Sequence, residues 1–330
     1  MALGEFELIE RYFRQTAESL RRQRGDAPLG IGDDAALLVP PAGQQLVAAL
    51  DTLVEGRHFP SGSPPRSIGH RALAVNLSDL AAMGADPAWF LLSLTMPSAD
   101  ETFLEAFASG LLQLAAEHRI ALVGGDTTAG PLSVTVQALG FVPPGRALQR
   151  DGGTPGDLLY VSGTPGDAAA GLQLAMVEGV GAALDDQQRQ YLLDRFHFPA
   201  PRVALGRLLR DVASACIDVS DGLAADAGKL AAASGCAAVI ELERIPLSAP
   251  LTAFADEAGG QRLALSGGDD YELCFSVPPD KAPRISPLLR TVGCRLSCIG
   301  RLVEGQGVQV LRDGHALLLE TTGFDHFAGR

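Results

Sequence analysis

A mixed α/β chain of two domains is what the sequence predicts, on three observations. Apolar, β-type runs alternate with helix-periodic stretches through both halves. A segment dense in Pro and Gly, "PPGRALQRDGGTPGD" (143–157), interrupts that alternation near the middle. The chain has 330 residues, 47% of them hydrophobic, more than one core usually organises. The boundary is placed there, giving domains over residues 1–145 and 146–330.

"QLVAAL" (45–50) reads as a strand, and "SIGHRALAVNLSDLAAMG" (67–84) as a helix with Ile68, Ala72, Val75, Leu80 and Met83 at helical spacing. "WFLLSLTM" is a buried strand. A helix over 101–117 precedes the strand "IALVGG", and "LSVTVQALGFV" alternates as a strand does. The second half opens with the strand "LLYVSG", the glycine turn "GTPGDAAAG" and a helix. "ASACIDVSDGLAADAGKLAAASG" (213–235) runs strand, turn, helix, with Gly235 ending the helix. "LCFSV" and "GVQVL" are further strands, and no short-period repeat is present.

Composition closes several functional classes. A net charge of −13 and a pI of about 4.9 argue against nucleic-acid or anionic-membrane surfaces. Five cysteines, none in a CxxC, read as reduced and mostly buried thiols rather than a zinc site. "MALGEFELIERYF" is acidic and amphipathic, unlike a signal peptide, and no apolar run reaches the ~20 residues of a membrane span. A soluble, cytoplasmic protein is expected. The lysines are Lys229 and Lys281, neither after a GxxxxGK[ST] loop, which excludes a P-loop.

Six segments carry an aspartate at or near the end of an apolar run: Asp33/Asp34, Asp51, Asp79, Asp126, Asp218/Asp221 and Asp269/Asp270. Any one of them is most simply a turn residue or helix cap. Two resist that reading. Asp79 lies inside a helical pattern on or beside its apolar side, where a carboxylate needs a partner. Asp218 lies inside a strand, where it cannot cap the helix that follows. If several met, pairs about 4 Å apart would repel by roughly 4 kcal/mol at an effective dielectric near 20. Such a site needs cations, and hard oxygen ligands without a His/Cys cluster favour Mg²⁺, whose shell is commonly completed by substrate phosphates.

Other motif readings fail on detail. "GIGDDA" fits GxGxxA loosely but puts two acids where a pyrophosphate would approach. "DVSDGL" has Gly222 one place early for a calcium loop, and Lys229 where the bidentate Glu belongs. "GTPGDAAAG" is compatible with phosphate contact, although glycine turns commonly open helices without it. His58 beside Phe59 reads alone as a satisfied structural residue, and Trp89 as core.

In order, "LGIGDDAALL", "DTLVEGRHF", "AVNLSDLAAMGADPAW", "GGDTT", "GPLSVTV", "IDVSDGL" and "GGDDYELCF" resemble the thiamine-monophosphate kinases, within the ATP-binding superfamily of aminoimidazole ribonucleotide synthetase. The resemblance covers nearly the whole chain, from "GEFELIERYF" to "GFDHF". It implies a two-domain fold dimerising through the N-terminal domain. It also implies ATP-dependent phosphorylation of thiamine phosphate to thiamine diphosphate with several Mg²⁺ ions. Carried over by position, the implied metal ligands are Asp34, Asp51, Asp79, Asp126, Asp218 and Asp221, with Asp33 beside them and Thr52 adding a backbone or hydroxyl oxygen. Gly125, Asp126, Arg150 and Ser220 fall at nucleotide contacts; His58, Asp269 and Phe324 fall where the family holds its thiamine substrate.

Three positions depart from the family pattern. Leu50 stands where Ser or Thr is usual, leaving a backbone carbonyl as its ligand. Asp269 replaces Glu, and Phe324 replaces a larger aromatic. Because the acceptor is a phosphate, largely a dianion at neutral pH, no catalytic base is expected. Relatives that need a reactive cysteine near either terminus do not fit, since the first is Cys216 and the chain ends "HFAGR". The alternatives are another ATP-using member of the superfamily, such as aminoimidazole ribonucleotide synthetase, and a non-catalytic Mg²⁺/nucleotide-binding regulator.

Overall fold

In the computed structural model, which describes residues 4–317, the chain divides into two units. One takes in the chain through Leu80 and Ala85–Arg146; the other takes Ala81–Gly84 and everything from Ala147.

The first unit begins with a helix at Glu5–Leu8 (α1), relaxes to π geometry over Ile9–Arg14 and resumes at Gln15–Arg24 (α2). There follow β1 (Gln45–Val54), α3 (Pro65–Ala82), β2 (Asp86–Met96), α4 (Glu101–His118), β3 (Ala121–Ala129) and β4 (Ser133–Val142). Asp100 starts α4 by accepting the N–H groups of Thr102 and Phe103, which a helix end otherwise leaves unpaired. The strands pair in the order β1-β4-β2-β3, antiparallel except β2 with β3.

β1 and β4 run without a slip from Gln45↔Val142 to Val54↔Ser133, so the period of two sorts side chains cleanly. Leu53, Phe90, Leu94, Val134 and Val136 are buried on one face. On the other, Leu46 and Leu50 stay 53% and 60% exposed. Towards β3 that second face is covered by α2 and the chain after it, where Leu20, Ala27 and Leu38 pack with Trp89, Val123 and Phe141. Trp89 is core: its ring meets Phe141 edge-on at 5.1 Å and its N–H donates to Asp26.

The second unit contains β5 (Leu158–Ser162), α5 (Asp167–Met176), α6 (Asp186–His197), α7 (Val203–Leu209), β6 (Ala215–Val219) and α8 (Leu223–Ala233). It continues with β7 (Ala237–Glu241), α9 (Ala249–Ser266), β8 (Glu272–Val277), α10 (Ile285–Val292), β9 (Leu296–Val303), β10 (Gly307–Arg312) and β11 (His315–Leu317). The sheet order is β11-β10-β7-β9-β5-β8-β6, antiparallel except β7 with β10.

Leu223, Ala224, Ala227, Leu230 and Ala231 form the apolar stripe of α8 and pack on Val161, Ile217, Val219, Ile240 and Ile299. Gly235 follows α8 at φ 67°, the left-handed position the sequence assigns it. α5, α6 and α9 gather round Ala170, Leu192 and Leu251, and a capping box of Asp185 and Gln188 starts α6. The chain is mixed α/β throughout, as predicted. The five cysteines are free thiols, three of them buried. Among the described residues no helix is long and apolar enough to cross a membrane.

Candidate active site

Alternation along β1 turns Asp51 to the buried face, where its carboxyl hydrogen-bonds the Asp79 side chain on α3. Burial pushes the Asp51 carboxyl above its ordinary range, while the bond to Asp79 pulls it back. The partner demanded by Asp79 within its helix is thus another acid. His58 closes the turn after β1: its Nδ1 accepts the Val54 N–H at 2.9 Å, placing the ring proton of the neutral imidazole on Nε2.

Leu50 and Thr52 point the opposite way from Asp51. The Thr52 hydroxyl is joined to that of Thr135 at 2.8 Å. Glu55 N–H bonds Leu132 O, so odd-numbered β1 residues exchange bonds with β4. The carbonyls of Leu50, Thr52 and Val54 therefore turn to the free sheet edge, where Val54 O accepts from Arg57 and His58.

A cleft of about 1070 Å³ in the same unit brings four more of the predicted residues together. It is lined by Glu10, Phe13 and Arg14, by the turn bearing Asp33 and Asp34, and by 122–127 with Gly125 and Asp126. Asp33 Oδ1 accepts the Asp34 N–H at 2.8 Å, and Arg14 is paired with Glu10. The lining is acidic on balance. Gly125 has a structural reason of its own: a Cβ there would lie 1.8 Å from Leu92 O across the β2–β3 pairing. Gly125→Ala is expected to destabilise the chain by about 1–3 kcal/mol, the usual range for overpacking, read from urea denaturation.

In the second unit, Asp218 is buried on β6, opposite Leu273 of β8. Ser220 and Asp221 follow in the turn to α8, their N–H groups both donating to Asp226. Lys229 bonds Asp221 and Asp226; desolvation lowers its pKa, but the two carboxylates outweigh that and hold it above the ordinary lysine value. Sequence reasoning passed over this pair, because an acid in the first turn of a helix followed by a base three residues later is an ordinary surface pattern. Arg150 is exposed, its carbonyl accepting from the Ser234 hydroxyl.

Asp269 and Tyr271 run alongside the end of β6, donating to Ser220 O at 2.9 Å and Val219 O at 2.8 Å. Asp269 lies next to Ser220, although the two are far apart in sequence. Both residues are left-handed, φ 71° and 50°, and such strain in non-glycine residues persists only where surroundings impose it. The Tyr271 hydroxyl donates to Asp269 Oδ1 at 3.3 Å. Between them, Asp270 faces inward and is fully buried, accepting Gly166 N–H at 2.7 Å and Ala168 N–H at 3.3 Å. The glycine turn thus gives these amides to a carboxylate of its own chain, where the sequence allowed a phosphate. The next inward residue, Glu272, is also fully buried, paired with Arg195 and Arg202.

Phe324 lies outside the described residues. Among the described residues no three Asp, Glu, His or Cys side chains gather where they could hold a metal. The predicted ligands come instead as the Asp51–Asp79 pair, the cleft acids and the β6 turn.

Family models describe the same two halves. "AIR synthase related protein, N-terminal domain" matches residues 32–142, and "AIR synthase related protein, C-terminal domain" matches 154–313. The thiamine-monophosphate kinase of Salmonella typhimurium is 46% identical over 329 residues, 99% of each chain. The crystal structure of thiamine-monophosphate kinase from Stenotrophomonas maltophilia superposes with a TM-score of 0.87 at 47% identity, covering 96% of this chain and 99% of that one. AaThiL complexed with AMPPCP and TMP follows at 0.77 and 33%, covering 98% and 97%. Identity at that level over essentially the full length, on a shared two-unit fold, means that the chain belongs to the thiamine-monophosphate kinase family.

Proposed function

We propose that this chain transfers the terminal phosphoryl group of ATP to thiamine phosphate, giving thiamine diphosphate. The observation that carries the reading is full-length identity to thiamine-monophosphate kinases, and a structural relative has been seen with AMPPCP and TMP. The aspartates at strand ends and on α3 supply what such a transfer needs. Thiamine diphosphate formed from ATP, thiamine phosphate and Mg²⁺ by the purified chain tests it. ATP consumed without that product would favour another superfamily activity, and binding without turnover a regulator.

Mg²⁺ fits the residues present. Asp51 and Asp79 bring two carboxyl groups together on the buried face of the first sheet, a pairing that a hard divalent cation can take over by binding both. Asp33, Asp34, Asp51, Asp79, Asp126, Asp218 and Asp221 would hold Mg²⁺, with the edge carbonyls of Leu50 and Thr52. When bound, the ions neutralise charge on the reacting phosphates. Gly125, Asp126, Arg150 and Ser220 contact the nucleotide in this reading; His58, Asp269 and Phe324 hold the thiamine substrate. The acceptor dianion attacks in line and needs no protein base. The N-terminal domain, 1–145, carries most of the proposed metal set, and Asp218 and Asp221 belong to the domain 146–330. A homodimer is supported by the apolar side chains that β1 leaves exposed, Leu46 and Leu50, and a cytoplasmic setting by free thiols.

His58→Asn is expected to raise KM for thiamine phosphate while kcat falls by less, since Asn can still accept the Val54 N–H. Steady-state kinetics at saturating ATP measure the split. A large loss of kcat at unchanged KM would instead assign His58 to proton transfer.

A further inference from the structure

Two side chains with no part in the roles above hold the turn between β6 and α8. Asp226, 1% exposed on the first turn of α8, accepts the N–H groups of Ser220 and Asp221 on one oxygen at 2.9 Å each. Its other oxygen takes the Lys229 ammonium at 2.8 Å. The same ammonium donates to Asp221 Oδ2. These contacts close a ring: Asp226 grips the Asp221 amide, Lys229 grips its carboxylate, and Lys229 is seated on Asp226. Gly222 provides no side-chain cap for α8, so the Asp226 carboxylate is the acid at that helix start.

The residue type matters as much as the geometry. Of the chain's 26 Lys and Arg residues, the lysines are this one and Lys281. A guanidinium would fix two carboxylates in a rigid fork; an ammonium is a compact charge with rotatable donors. It can release one oxygen and keep the other. Lys229 is 44% exposed and Asp221 31%, so their pair lies at the solvent boundary, where ion pairs are weak and exchange readily.

We propose that Lys229 is a tethered counter-cation: it orients Asp221 before a divalent cation arrives, yields that carboxylate to the cation, and stays on Asp226, which keeps the Ser220–Asp221 turn in place. This rests on the reading of Asp221 as a cation ligand. Calorimetric titration of Mg²⁺ into the nucleotide-free chain tests it with Lys229→Met, Asp221→Asn and the double variant. Lys229→Met is expected to tighten Mg²⁺ binding by about two- to fivefold, the equivalent of an exposed ion pair, and to lower the thermal midpoint in EDTA. In the Asp221→Asn background it should leave Mg²⁺ affinity alone. Lys229→Arg, which preserves both ion pairs, should weaken Mg²⁺ binding and serves if the Met variant does not fold. Equal tightening with and without Asp221 would mean that the charge acts through space, which overturns the proposal. So would unchanged Mg²⁺ affinity in Lys229→Met while Asp221→Asn weakens binding, the ligand reading then standing. If Asp221→Asn itself leaves affinity unaltered, the ligand reading fails and the counter-cation role falls with it.

Discussion

Asp51→Asn is expected to lower kcat by roughly a thousandfold or more at saturating Mg²⁺, while the metal-free chain stays as stable as the parent or becomes more so. The two halves of that result have one cause. Asp51 and Asp79 face each other on the buried side of the first sheet, and burial disfavours ionisation of Asp51. An amide in place of one acid keeps a hydrogen bond and removes the repulsion between two carboxylates, so folding loses nothing. It also removes half of an oxygen pair proposed to hold the cation. Turnover to thiamine diphosphate and a thermal scan in EDTA, run on the same preparation, check both halves. Near-parent turnover would remove Asp51 from the ligand set; a collapsed fold would make the pair structural.

Glu272→Ala is expected to destabilise the second unit by about 3–5 kcal/mol, the range for breaking a buried ion pair by removing one partner. Arg202 donates to Glu272 from Nε at 2.6 Å and from Nη2 at 2.5 Å, Arg195 from Nη2 at 2.8 Å and Ser162 from its hydroxyl at 2.5 Å. Alanine would leave two mostly buried guanidinium groups without the carboxylate they share. Burial alone would raise the Glu272 pKa, but the two arginines and Ser162 outweigh it and hold it below 4.5. A carboxylate lowered on folding stabilises above its unfolded pKa and loses that contribution as pH falls through its folded one. The stability gap between the parent and Glu272→Gln should therefore be full at neutral pH and close only in acid, below about pH 4. Urea denaturation across that range measures it; a gap independent of pH would make packing the cause.

Long periodic elements were legible because one residue's neighbours dictate its role: α3, α4, α8, β2 and β4 all read correctly from apolar spacing. β7 and β9 did not. β7 begins with two alanines, poor strand formers, and β9 carries Gly300 and Arg301 in its middle, so both owe their form to sheet neighbours rather than to propensity. The site divides the same way. That Asp79 needed a partner followed from a helix pattern, but that Asp51 supplied it depends on how β1 packs. "GGDDYEL" looked like one acidic feature, yet the fold sends its two acids to different partners. Asp270 binds the glycine turn, while Asp269 keeps company with Ser220 and Tyr271.

The strand orders also set a timetable for synthesis. Every strand of the first sheet has left the ribosome once Val142 has, so that sheet can close while translation continues. The second cannot. β5 ends at Ser162, but its two neighbours begin at Glu272 and Leu296, and β6 pairs with β8 alone. Through most of the second half's emergence β5 waits as an unpaired apolar strand on the nascent chain, joined from Val219 onward by β6, and closing such long loops is slow. A newborn chain is thus half folded and half exposed for much of its synthesis, the interval in which aggregation competes with folding and a chaperone has most to protect.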